Sequence, residues 1–129
     1  MPALDRTAVL RGAAVGVVVL ALAIAGWQVA DAAADFATDS NVVFLFYAVA
    51  LAGWAAAGFI AARRALDLPY TTGAVAAACS VVPVAAIAIV VDATRGDSPP
   101  VGAIVAQTFV AATLGIVGAL VAARREAGA

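Results

Sequence analysis

The sequence predicts an all-α integral membrane protein: four transmembrane helices in two helical hairpins, with both termini cytoplasmic. Three observations carry this. The 129-residue chain is 66% hydrophobic and 12% charged, with a mean hydropathy of +1.10. Soluble domains are roughly half apolar and about a quarter charged, and a body this small has too much surface to bury the excess. Charges also divide the chain into four uncharged intervals. These are 19 residues between Arg11 and Asp31, 23 between Asp39 and Arg63, 24 between Asp67 and Asp92, and 26 between Asp97 and Arg124. Finally, six of the seven arginines fall at the same end of those intervals.

A hydrocarbon core of about 30 Å is crossed by roughly 20 helical residues. Backbone groups in lipid find no water, so each interval must satisfy its own amides as a helix. None alternates polar and apolar residues as a membrane barrel strand would. The chain 1–129 is thus one four-helix domain, with spans at about 9–30, 42–62, 72–91 and 101–123.

The first span follows Arg6 and Arg11, and an Ala-rich exit, "DAAADFA", follows it. That outline resembles a signal peptide, but its apolar run exceeds the usual core of about 7–15 residues, so the span is read as retained. Gly12 and Gly16 open it at a spacing that lets helices approach closely. Trp27 near its far end sits at the depth where amphipathic rings settle. The connection that follows carries Asp31, Asp35 and Asp39 at intervals of four. With no histidine in the chain, and without the dense oxygen ligands of a calcium loop, this reads as solvated loop and not as a metal site.

The second span opens on Phe44, Phe46 and Tyr47 as interfacial rings, holds Trp54 deeper, and ends on Arg63 and Arg64. Trp54 needs either a hydrogen-bond partner or a packing role. The third span follows Pro69 and Tyr70 and contains Pro83, which removes one helical hydrogen bond and is expected to kink the helix near 79–82. Cys79 and Ser80 are placed to serve the freed backbone group. In "TRGDSPP" the Arg-Gly-Asp tripeptide is too short to carry meaning, and the segment reads as a turn into the last span. There Ala111, Gly115 and Ala119 are spaced by four, with Gly118 and Ala122 on an adjoining line, before Arg124 and Arg125. Gln28, Gln107, Thr108 and Thr113 read as hydrogen-bonding glue between helices.

Arg6, Arg11, Arg63, Arg64, Arg124 and Arg125 share one face in this topology. The other receives Asp31, Asp35, Asp39, Asp92 and Asp97, with Arg95 its one cation. The positive-inside rule puts the arginine face in the cytoplasm, which makes this a multi-pass protein of the cell membrane. A shift of 61 residues lays Ala61-Ala62-Arg63-Arg64 on Ala122-Ala123-Arg124-Arg125, Gly12 on Gly73 and Asp31 on Asp92. Two hairpins, about 12–64 and 73–125, could therefore form a parallel repeat about an axis along the membrane normal.

Function is less legible. No Ser–His–Asp set, Gly-rich phosphate loop or buried acid–base pair occurs, so the chain is read as neither an enzyme nor a cofactor carrier. A net charge of −1 gives no basis for nucleic-acid binding. No Asp or Glu lies between Asp5 and Asp31, so the first span lacks the carboxylate of a proton-coupled carrier. The expected role is that of a structural or accessory subunit acting through helix contacts, with itself or in a larger membrane complex. The alternative is a small channel or transporter whose pathway forms on oligomerisation, with Pro83 at the break. The four arginines Arg63, Arg64, Arg124 and Arg125 set topology, and as one patch they would also attract anionic lipid.

Overall fold

The computed structural model describes residues 3–34, 41–65 and 67–128, with backbone alone for 31–34. The chain forms α1 (Arg6–Ala34), α2 (Val42–Arg64), α3 (Pro69–Arg95) and α4 (Val101–Ala127). All four are long and apolar enough to cross a membrane, and no strand occurs among the described residues. The sequence-derived spans lie inside these helices, which run up to four residues further at each end because terminal charges remain helical in the interfacial layer.

Local chemistry accounts for the ends. Asp5 caps α1: its Oδ1 accepts hydrogen bonds from the amides of Thr7 at 3.0 Å and Ala8 at 3.1 Å, serving two amides that the helix cannot. Arg63 and Arg64 fill the last turn of α2, and Arg124 and Arg125 stand near the end of α4, where cations meet the negative end of the helix dipole. Pro69 begins α3, preceded by Leu68 in the left-handed region at φ 49°. Gly96 closes α3 at φ 77°: its amide donates to the Ala93 carbonyl and that of Asp97 donates to the Asp92 carbonyl. These are the paired bonds of a Schellman turn, so the Arg-Gly-Asp tripeptide is a helix terminator.

The helices pack as a rhombus. α2 and α3 meet across its short diagonal, α1 and α4 each contact both of them, and among the described residues α1 does not meet α4. Seams in the half of the bundle nearest the arginines consist of small residues. Gly12 lies against Ala57, Ala61 and Ala76, and Gly16 against Ser80. Gly58 and Gly73 both lie against the backbone of Gly115, and Gly118 against that of Ala55 and Phe59. In α4 the buried set is Ala111, Gly115, Gly118, Ala119 and Ala122, whereas Val105, Phe109, Ile116 and Leu120 are exposed. Small residues inside and bulky ones outside invert the pattern of a soluble bundle. Lipid provides no hydrophobic drive between helices, so close backbone approach must supply the attraction.

Several polar expectations change. Pro83 lies inside α3, where it leaves the Cys79 carbonyl without its helical donor. The Ser80 hydroxyl, fully buried, donates to the Ala77 carbonyl at 2.6 Å and so does not serve the carbonyl freed by the proline. Thr108 and Thr113 donate to the carbonyls of Ile104 and Phe109 in their own helix, at 2.8 and 2.9 Å, so they do not glue helices together. A hydroxyl four residues beyond a carbonyl reaches it more readily than a neighbouring helix. Gln28 and Gln107 are exposed. Trp54 takes the packing role, against Leu20, Ala57 and Val81, and its Nε1 has no hydrogen-bond partner.

Candidate functional site

The arginine end is assembled by two helices that run in the same direction. Each returns from a hairpin, so the doubled Ala-Ala-Arg-Arg brings two pairs of cations to one end. Phe59, one turn before Arg63, packs against Ala62, Ala119 and Ala122 at the α2–α4 seam. The guanidinium carbons of Arg63 and Arg125 stand 5.7 and 5.6 Å from the centre of its ring. That is cation–π range. One aromatic side chain thus holds two like charges from different helices, and their separation cannot exceed the sum of those distances. Arg64 and Arg124 are exposed beside them. By sequence this end carries six arginines against Asp5, Asp67 and Glu126, a surplus of three positive charges.

The opposite half of the bundle is built differently. Fully buried residues stop at Ala23 in α1, begin at Gly53 in α2, stop at Val81 in α3 and begin at Ala111 in α4. Beyond those positions lies a half-open cavity of about 270 Å³. Four rings form much of its wall: Trp27, Phe46, Tyr47 and Trp54. Trp27 and Phe46 meet edge-to-face, with centroids 5.6 Å apart and planes at 71°. Gly26 provides the room for this, since a Cβ there would lie 2.9 Å from the Phe46 ring. Val81 and Val84, which flank Pro83, belong to the same wall, and Gln107 contributes an amide from α4. Bulky rings line this half of the bundle, and glycines and alanines fill the seams of the other.

Of the residues marked by sequence, Arg63 and Arg125 meet at Phe59, while Arg64 and Arg124 lie beside that pair. Gly12, Gly16, Gly115 and Gly118 all sit in seams within the chain. Pro83 itself is exposed, between two residues of the cavity wall. Sequence reasoning missed Gly58 and Gly73, which both lie against the backbone of Gly115, because neither forms a four-residue pair of small residues as conspicuous as Gly12 and Gly16. It also missed the cavity: the rings were legible singly as interfacial anchors, and nothing in linear spacing joins Trp27 to Phe46. Among the described residues no cluster of potential metal ligands occurs. No family model, curated protein or solved structure matches the chain.

Proposed function

We propose that this chain is a multi-pass protein of the cell membrane with both termini in the cytoplasm, acting as a structural or accessory subunit through its outward helix faces. The observation that carries the reading is the inverted side-chain distribution. Inside the bundle, glycine and alanine close the seams; outside, Phe109, Ile116, Leu120 and their neighbours present a continuous apolar face on α4. Such a face suits lipid and equally suits another helix. The arginine surplus at one end supports the orientation by the positive-inside rule, and the pair held on Phe59 supports retention of anionic lipid at that end.

The 61-residue offset finds support in depth alone and not as a two-fold arrangement, since α2 meets α3 while α1 and α4 share no contact among the described residues. α1 and α3 touch at Gly12–Ala76 and Gly16–Ser80, and α2 and α4 at Gly58–Gly115 and Phe59–Gly118, so equivalent positions lie within about one turn of each other. The alternative of a small transporter draws support from the cavity beside Pro83, which ends where the small-residue seams begin.

Single cysteines at Phe109 and Ile116, introduced with Cys79→Ser, test the contact reading by cross-linking in native membranes. The expected result is one discrete hetero-oligomeric product of fixed stoichiometry. Homodimer alone, together with solute flux in proteoliposomes, would instead establish the transporter.

A further inference from the structure

The cavity at the acidic end is too specifically lined to be a packing defect. Both tryptophans of the chain and four of its nine aromatic residues converge there. Aromatic faces carry negative electrostatic potential and attract cations within about 6 Å. Val81 of the wall and Asp92 are eleven residues apart on α3, close to three full turns, so they share a helix face with Asp92 about 16 Å nearer the acidic end. Asp92 is half-buried. By sequence this end of the chain holds five carboxylates against Arg95. No cation stands in the cavity wall.

The cavity is half-open, so its size shows what it can seat within its walls. A cavity of about 150 Å³ accommodates benzene, so 270 Å³ takes a ring with one further compact group. An acyl chain would fill the space but makes no use of four rings, and an anionic headgroup would meet the negative faces of those rings. We infer that this cavity is a binding site for an organic cation with an apolar body, of the quaternary-ammonium class, its ring between Trp54 and Val81 and its charge against the outer rings below Asp92. The wall offers no carboxylate, so the ammonium keeps the mouth of the cavity and its partial hydration. The desolvation penalty of a fully buried ion is thereby avoided.

Both tryptophans line the site, so intrinsic fluorescence reports its occupation. Full-length protein in nanodiscs of zwitterionic lipid is titrated with benzyltrimethylammonium, with its neutral carbon isostere neopentylbenzene, and with toluenesulfonate. The expected result is a saturable change with the cation, about tenfold weaker with the neutral isostere and absent with the anion. Phe46→Leu and Tyr47→Leu each weaken cation binding about fivefold, the equivalent of about 1 kcal/mol of cation–π attraction. Tyr47→Phe keeps the ring and keeps the affinity. Tyr47 is 63% exposed, so neither variant threatens the fold. Equal binding of the neutral isostere and the cation would overturn the inference in favour of a generic apolar site. So would the absence of any saturable signal, or Tyr47→Leu binding as well as Tyr47→Phe.

Discussion

One of the closest approaches in the bundle, Gly58 on Gly115, makes a strong demand on the sequence. A Cβ added at Gly58 would collide with the carbonyl oxygen, Cα and carbonyl carbon of Gly115. All three are backbone atoms, so no rotamer change relieves the clash and α2 and α4 must separate. Overpacking costs about 1–3 kcal/mol where side chains can adjust. With backbone on the receiving side, Gly58→Ala should lie at the top of that range, about 3 kcal/mol, or more than a hundredfold in the unfolding equilibrium. Gly102→Ala is the control, because nothing lies within 4 Å of a Cβ built there, and alanine is the better helix former by up to about 1 kcal/mol. Steric-trap or denaturant unfolding in bicelles should therefore show Gly58→Ala strongly destabilised and Gly102→Ala unchanged or improved. Equal stability of the two variants would refute the claim that backbone contact at Gly58–Gly115 holds the arginine half together.

Other consequences are simpler to measure. Thr72 is fully buried and its hydroxyl has no partner, so Thr72→Val should raise stability by about 1 kcal/mol in the same unfolding assay. Gly96→Ala forces a Cβ into the left-handed region at φ 77° and should cost about 1 kcal/mol, seen as a lower thermal midpoint. A cysteine at Ser98 with Cys79→Ser should be labelled by an impermeant maleimide from outside the cell, while a C-terminal tag should be reachable only after permeabilisation; the reverse result inverts the topology. Replacing Arg63, Arg64, Arg124 and Arg125 by Gln should weaken retention of anionic lipid in native mass spectra, each arginine contributing about 1 kcal/mol near a charged surface. Topology is checked by the same label.

What the sequence made legible was whatever lipid imposes on any chain. Uncharged intervals of membrane length located all four helices, since a charge inside the core is costly and a strand edge has no partner there. The small-residue line through Ala111, Gly115 and Ala119 was also visible, because one helix face is periodic. What escaped depended on which face meets which. Gly58 becomes important only because Gly115 lies opposite, and Phe59 becomes a shared ring only because α4 runs beside α2. Asp5 carried no assigned role in the sequence and is a helix cap in the structure, which places the start of α1 at Arg6. The threonine hydroxyls were the plainest misjudgement: their own helices supply nearer acceptors than a neighbour does.

The packing also separates two meanings of the internal offset. If the hairpins were related by a two-fold axis along the membrane normal, α1 would exchange with α3 and α2 with α4. Any contact between α2 and α3 would then require an equal contact between α4 and α1. The first exists and the second does not, so the offset governs depth and direction without governing arrangement. The chain therefore presents unequal flanks: α1 and α4 occupy opposite corners, and only α4 combines an all-glycine-and-alanine buried set with large apolar side chains outside. A helical partner should choose the α4 flank. The aromatic cavity, walled chiefly by α1 and α2, is left free for a small ligand, so occupying either site need not close the other.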